Sequence, residues 1–312
     1  MTPLRLGTRA SLLATTQSGH VAEALRAATG REVELVPITT AGDVLTGPLA
    51  QLGGTGVFVA ALRDALLRGD CDLVVHSMKD LPTADVPGLR IAAVPARESA
   101  RDALCARDGL TLDALPVGAR VGTGSPRRVA QMLRRRPDLE VAGIRGNVDT
   151  RLRKVADGEF DAIVLAEAGL TRIARTDRIT DLFAADDWPT SAGQGALAVE
   201  VRAGDPVEGD VARVGDRASA EVALLERAVL RRLEAGCAAP VGIGARHDSA
   251  AAEIVLLAEV YAPGGARTVR VERAFAHAGV ADDAGRSQAA EVIVAELLGA
   301  GAGALADFGA SA

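Results

Sequence analysis

Three clusters of residues in this 312-residue chain have types and spacing that could do chemistry. The densest is cationic: Gly122-Thr123-Gly124-Ser125-Pro126-Arg127-Arg128. A strand feeding a glycine turn, then proline at a helix start, leaves free backbone N–H groups at the positive end of a helix dipole, which favours an anion. Arginines in that first helical turn oppose the dipole, a local cost that suggests they face a negative ligand. Arg145-Gly146-Asn147-Val148-Asp149-Thr150-Arg151 adds two cations around a second tight turn, and Arg9 stands at another helix mouth. Guanidinium forks at five such positions suit the carboxylate or phosphate oxygens of a polyanionic small molecule. Any one of them alone is read more simply as a solvated surface charge.

The second cluster is Val74-Val75-His76-Ser77-Met78-Lys79-Asp80-Leu81-Pro82. It starts as an apolar strand, Asp72-Leu73-Val74-Val75, and breaks into a polar turn that Pro82 keeps from continuing as a helix. His76, Lys79 and Asp80 are therefore expected at the C-terminal end of a sheet strand, where open α/β sheets bind ligands. Position alone does not separate this from an ordinary solvated loop. Lys79 and Lys154 are the sole lysines among 35 basic residues, a bias that arginine-rich coding explains. Against that bias, an ammonium in the turn hints that a compact cation is wanted there.

The third is Cys237, in a small-residue loop between the end of one helix and the start of a strand; by residue type alone a structural cysteine is the simpler reading. Cys71 and Cys105 lie in apolar segments and should behave as small buried hydrophobes. Three scattered cysteines make neither a disulfide framework nor a metal cluster. No His/Cys/carboxylate spacing points to a metal, Gly122-Thr123-Gly124 lacks the third glycine of a dinucleotide fingerprint, and neither a Walker lysine nor a nucleophile-elbow serine is present.

Composition narrows the class. Aromatic residues are 2% and the net charge is −6, which argues against nucleic acid as partner. The N-terminus has no charged leader followed by an apolar segment, and no apolar run approaches membrane-spanning length, so a cytoplasmic protein is expected.

The elements that must position these clusters read as follows. A strand at Leu4–Thr8 precedes a helix from Arg9 to about Ala28, which Ser11 or a neighbour could cap. A strand at 32–39, a loop from Gly42-Asp43, the turn Gly53-Gly54-Thr55-Gly56 and a helix at Val57–Arg68 lead to the Asp80 strand. Strands at Leu89–Pro95 and Asp102–Arg107 follow. The pattern then returns: Arg120-Val121-Gly122-Thr123 echoes Arg5-Leu6-Gly7-Thr8, and Gly158-Glu159-Phe160-Asp161-Ala162-Ile163 echoes Gly69-Asp70-Cys71-Asp72-Leu73-Val74. Two echoes in one order suggest two α/β domains of one architecture with ligand between them. Residues 203–215 read as a boundary loop. A helix at Ser219–Leu233, three strands from Val241 to Ala276 and a helix from about Asp282 to Leu298 make a smaller α+β domain, with a frayed tail from Gly299.

His76-Ser77-Met78-Lys79-Asp80-Leu81-Pro82, Arg127-Arg128, Arg145-Gly146-Asn147 with Thr150-Arg151, Gly193-Gln194-Gly195 and Leu233-Glu234-Ala235-Gly236-Cys237 together resemble the hydroxymethylbilane synthase (porphobilinogen deaminase) family. The resemblance runs from Gly7-Thr8-Arg9 to Cys237. It implies two periplasmic-binding-protein-like doubly wound α/β domains, residues 1–96 plus 195–214 and 97–194, and an α+β domain at 215–312. It implies a transferase that condenses four porphobilinogen molecules head to tail on a dipyrromethane cofactor, releasing ammonia at each addition. On the matching positions, Cys237 would carry the cofactor as a thioether. Asp80 with Lys79 would be catalytic, Asp80 stabilising the azafulvene cation left when ammonia departs. Ser125, Arg127, Arg128, Lys79 and Asp80 would hold the cofactor, and Arg9, Ser11, Arg145, Arg151 and Gln194 the substrate. It also implies a monomer that hands its product to a downstream tetrapyrrole cyclase. Thr55 and Ala60 stand where many members of that family have lysine, so the loop at 41–56 should grip a carboxylated product less electrostatically. Two rival readings stand beside this one: a cytoplasmic two-lobed binding protein for a polycarboxylated molecule, and a phosphoryl- or acyl-transferring enzyme using Gly122–Arg128 as an anion cradle.

Overall fold

In the two five-stranded sheets the central strands are apolar on both faces because helices cover both. The computed structural model describes residues 2–38, 56–235, 239–306 and 308. The chain forms two compact units, Met1–Glu98 with Gly195–Ala220, and Ser99–Gln194 with Glu221–Ala312.

In the first unit, strands β1 (Leu4–Thr8), β2 (Val33–Pro37), β3 (Leu73–Ser77), β4 (Leu89–Ala93) and β10 (Leu197–Arg202) form a sheet ordered β2-β1-β3-β10-β4. β1 runs parallel to β2 and β3, whereas β10 runs antiparallel to both β3 and β4. The sheet is thus mixed. Helix α1 (Leu12–Thr29) packs Val21, Ala22 and Leu25 against Leu73 and Val75, and α2 (Gly56–Arg68) packs Leu62, Ala65 and Leu66 against Val74 on the opposite face. Successive residues of β3 alternate between these two cores, and each buried aliphatic side chain contributes roughly 1.5–3 kcal/mol.

The second unit repeats the plan. Strands β5 (Asp102–Ala106), β6 (Arg120–Gly122), β7 (Glu140–Ala142), β8 (Ala162–Ala166) and β9 (Asp181–Leu182) are ordered β7-β6-β8-β5-β9, with β6 parallel to β7 and β8, and β5 antiparallel to β8. Helices α3 (Pro126–Arg135) and α4 (Val148–Ala156) cover opposite faces through Met132 and through Leu152 and Val155. The sequence echo has a physical basis here. Asp72 accepts from Arg5 N–H at 2.9 Å and its own N–H donates to Arg5 O at 2.8 Å. Asp161 does the same with Arg120, at 2.7 and 2.8 Å. A side chain on Gly7 would come within 2.8 Å of Cys71 Sγ, and one on Gly122 within 3.0 Å of Phe160, so glycine admits the residue that precedes each aspartate.

The same unit contains a three-stranded antiparallel sheet, β11 (Val241–Asp248), β12 (Glu253–Tyr261) and β13 (Thr268–Ala276), covered by two later helices. With α5 (Glu167–Arg172) and α6 (Val207–Ala212) counted in chain order, these are α7 (Arg217–Arg232) and α8 (Asp283–Gly299). Leu225 and Val229 of α7 and Ile293 and Leu297 of α8 share one core with Ile254, Leu256 and Val260. The fold class is the one expected: two α/β sheets of one architecture and a smaller α+β assembly.

Two expectations are corrected. Residues 203–215 contain α6, whose Val211 is fully buried, although glycine, proline and aspartate dominate the composition. The tail beyond Gly299 is not frayed through residue 306, because Ala302 and Leu305 seat in the C-terminal core. Gly42-Asp43, Gly53-Gly54-Thr55 and Cys237 lie outside the described residues. Among the described residues, no helix is long and apolar enough to cross a membrane.

Candidate functional site

In the first unit the sheet delivers Asp80 at the C-terminal end of β3. Ser77 closes the strand and Met78–Asp80 form a single 3-10 turn before Leu81-Pro82. Met78 is fully buried and Leu81 nearly so, and Met78 N–H donates to Ala196 O at 3.0 Å, so the turn is held from beneath and by the segment entering β10. Lys79 and Asp80 are left half-buried on its open side. Gln17 Nε2 donates to Ser77 Oγ at 3.0 Å, tying α1 to the same strand end.

His76 does not face that opening. It is buried inside the sheet with Nε2 3.2 Å from Glu200 Oε2, and Arg63 grips the same carboxylate through Nε and Nη2 at 2.9 and 2.6 Å. Burial acts to raise the Glu200 pKa, but His76 and Arg63 outweigh it and bring it down to about 2. The expectation that His76 joins Asp80 at the strand mouth is therefore corrected: strand alternation points it inward. Ser11 caps α1, its Oγ accepting from Ala14 N–H at 3.4 Å, and Arg9 is half-buried two residues before.

The second unit holds the other cations around a carboxylate that the sequence did not single out. Asp102, at the start of β5, is wholly buried and accepts five hydrogen bonds: from Arg127 Nη1 (2.9 Å), Arg128 Nε and Nη2 (3.1 and 2.6 Å), Trp188 Nε1 (3.0 Å) and Gln194 Nε2 (2.9 Å). Burial alone would raise its pKa, but Arg127 and Arg128 hold it well below the usual carboxylate range. The arginines at the start of α3 thus face a negative group supplied by the chain itself. Each Arg128 nitrogen has a partner, Nη1 donating to Val164 O at 3.0 Å. Arg127 differs: Nη1 also reaches Gln131 Oε1 at 2.7 Å and Pro189 O at 3.2 Å, while its buried Nε and Nη2 have no partner among the described residues. Ser125 caps α3, and Gln194, fully buried, also donates to Ala100 O at 2.7 Å.

Arg145-Gly146-Asn147 forms the turn into α4. Asn147 Oδ1 accepts from Thr150 N–H at 2.8 Å, and Gly146 sits at φ 112°, where a side chain would strike Thr150 at 2.7 Å. Arg151 folds back so that Nε donates to Gly146 O at 2.8 Å. Its guanidinium is pushed below its ordinary pKa by burial and by the like charges of Arg128 and Arg145, with no carboxylate countering them among the described residues. Three guanidinium groups so placed make a positive potential that a bound anion would relieve.

The structure therefore gathers Ser125, Arg127, Arg128, Arg145 and Arg151 in the second unit, and Lys79 and Asp80 in the first. Asp102 was missed because its donors lie 25, 26, 86 and 92 residues away in the chain. Cys71 and Cys105 are free and buried, their thiols pushed up to about 11 and about 12 by that burial, which makes them inert.

A family model described as "Porphobilinogen deaminase, dipyromethane cofactor binding domain" matches residues 4–208, and one described as "Porphobilinogen deaminase, C-terminal domain" matches residues 220–293. The porphobilinogen deaminase of Leifsonia xyli subsp. xyli is 52% identical over 97% of this chain and 94% of its own. That of Thermobifida fusca is 55% identical over 87% and 85%, and that of Corynebacterium glutamicum 47% over 96% and 97%. Among solved structures, the methionine-binding protein MetQ is similar over 68% of this chain and 89% of its own, at 10% identity and a TM-score of 0.44.

Proposed function

The chain belongs to the porphobilinogen deaminase family and is a hydroxymethylbilane synthase, and we propose that in it Asp80 and the arginine set divide the work. When bound, dipyrromethane supplies the pyrrole end to which porphobilinogen units are added, and Cys237 is its expected point of attachment. The donors present suit such a group. Arg127 Nε and Nη2 are buried N–H donors without a partner among the described residues, which fits the acetate and propionate carboxylates that pyrroles of this pathway carry.

The carrying observation is that Arg151 lies close enough to Arg128 and Arg145 to feel both as like charges. Each added porphobilinogen brings two further carboxylates, and a like-charged guanidinium cluster favours them over neutral ligands. Ser125, Arg127 and Arg128 would hold the cofactor from the start of α3, with Lys79 from the Asp80 turn. Arg9, Arg145 and Arg151 would bind substrate carboxylates. Ser11 and Gln194 would support the same task by fixing α1 and Asp102. Asp80 is the group suited to a developing cation. As ammonia leaves the aminomethyl carbon with the bonding electron pair, a carboxylate nearby stabilises the positive charge left on the porphobilinogen ring, and later removes the proton displaced from the pyrrole carbon that forms the new bond.

We further propose the division 1–96 plus 195–214, 97–194 and 215–312 into three domains, a cytoplasmic monomer, and transfer of the linear product to a tetrapyrrole cyclase. Intact-protein mass spectrometry with peptide mapping tests the reading, together with ammonia release from porphobilinogen. The expected result is an added mass of two linked pyrroles on the peptide containing Cys237, absent in Cys237→Ala, and ammonia formed with turnover. A protein that binds porphobilinogen but carries no adduct and releases no ammonia would be a binding protein instead.

A further inference from the structure

We propose that the C-terminal sheet carries a site for a first-row divalent transition metal, built from His247, His277 and Glu221. His247 lies near the end of β11 and His277 directly follows β13, while Glu221 is in the first turns of α7. Register explains the meeting. His247 pairs with Ile254, which pairs with Phe275, and His277 follows two residues later on the same face of the sheet, the face that α7 covers.

His247 Nδ1 and His277 Nε2 are 2.7 Å apart, and His277 Nδ1 is 3.6 Å from Glu221 Oε2. One donor atom from each of the three residues can be chosen so that all lie within 4.8 Å of one another. Two imidazole nitrogens at 2.7 Å share at most one proton between them, and a metal ion replaces that proton with a stronger bond to both. Zinc–nitrogen bonds of about 2.0–2.1 Å at a tetrahedral angle put the two nitrogens roughly 3.3 Å apart, so the rings must part by about half an ångström. His277 is free to make that shift, its side chain being 39% exposed, and the same exposure leaves a coordination position for water. Glu221, 8% exposed, either closes the ligand set or orients His277 through Nδ1, as carboxylates behind metal-bound histidines commonly do. Two imidazoles with one carboxylate suit zinc, cobalt or nickel better than calcium or magnesium.

Such an ion would clamp the first turns of α7 to the last residues of β11. These are the far ends of the two elements that flank the Cys237 segment, and α7 puts roughly 17 Å of helix between Glu221 and its own C-terminal end. Metal binding here is therefore separable from the chemistry proposed above and rests on none of it. The spacing, 221, 247 and 277, is too wide for a ligand motif to be read from sequence.

Isothermal titration of the tag-free, metal-stripped holoenzyme with Zn2+ tests the proposal, with Co2+ as a spectroscopic probe. The expected result is one saturable equivalent, with visible Co2+ bands of tetrahedral type. His247→Ala and His277→Ala should each weaken Zn2+ at least tenfold and abolish those bands, and Glu221→Gln should weaken it less. Melting temperature should rise by several degrees with Zn2+ at about 100 times Kd in the wild type and not in the histidine variants. Zinc-free circular dichroism checks their folding, and His277→Gln replaces His277→Ala where the latter is unfolded. No saturable equivalent in the wild type, or an unchanged Kd and Co2+ spectrum in both histidine variants, would overturn the proposal and leave a hydrogen-bonded imidazole pair.

Discussion

Asp80 and Asp102 are both aspartates next to cations, and their surroundings give them opposite tasks. Asp80, proposed above to meet the substrate, sits half-buried on a short turn, whereas Asp102 is sealed beneath Arg127, Arg128, Trp188 and Gln194. Asp80→Asn is expected to keep the fold and lower turnover by roughly 10²–10³, the usual loss when one electrostatic stabiliser of a transition state is removed. Steady-state ammonia release together with circular dichroism measures this, and normal turnover would remove Asp80 from the mechanism. Asp102→Asn leaves two buried guanidinium groups without their counter-charge and should destabilise the protein by about 3–5 kcal/mol, read as a shifted urea midpoint. The arginines were legible in the sequence because helix-start chemistry marks them. Asp102 was not, since a carboxylate opening an apolar strand looks like a strand edge until the fold brings its distant donors to it. His76 was misplaced for a related reason: the strand runs on to Ser77, and its alternation turns His76 toward Glu200.

At the scale of elements, most strands and helices were readable because apolar periodicity and turn residues bound them. β12 and β13 fall where expected, Glu253–Tyr261 and Thr268–Ala276. The misses, α6 and the docked tail, are short segments in which one or two buried residues outweigh a polar or small-residue composition. Close packing of elements makes its own prediction at the turn Pro263–Gly265. Gly264 and Gly265 both have positive φ, but a side chain on Gly264 meets open space, whereas one on Gly265 would come within 2.0 Å of Ala130 O in α3. Gly264→Ala should cost about 1 kcal/mol from backbone conformation alone. Gly265→Ala should cost clearly more, because α3 must also move away. Paired urea denaturation curves compare them, and equal losses would mean that the contact with α3 is soft.

For the molecule as a whole, buried carboxylates set the acid limit. Glu200 and Asp102 both have folded-state pKa values below their ordinary values of 4.5 and 3.8. The stability they contribute is therefore complete above those ordinary values and is lost as pH falls toward the folded-state ones. For Glu200, a drop from 4.5 to about 2 corresponds to on the order of 3 kcal/mol. The urea midpoint should stay flat with respect to these two groups from pH 7 to about 5 and fall progressively below about pH 4.5. Glu200→Gln should be less stable at neutral pH and show a shallower acid slope.

The placement of β10 has a consequence for synthesis on the ribosome. Among the described residues β4 pairs with β10 alone, and β10 also covers the open edge of β3. When residues 1–98 have emerged, their sheet still lacks its fourth strand in spatial order, and that strand arrives only after the intervening residues 99–194 have been translated. During that interval two unpaired edges invite the wrong neighbours. Residues 99–194 contain all five strands of their own sheet, so nascent-chain order and folding order are reversed: the sheet translated second can close first, and the chain's beginning waits for Leu197–Arg202.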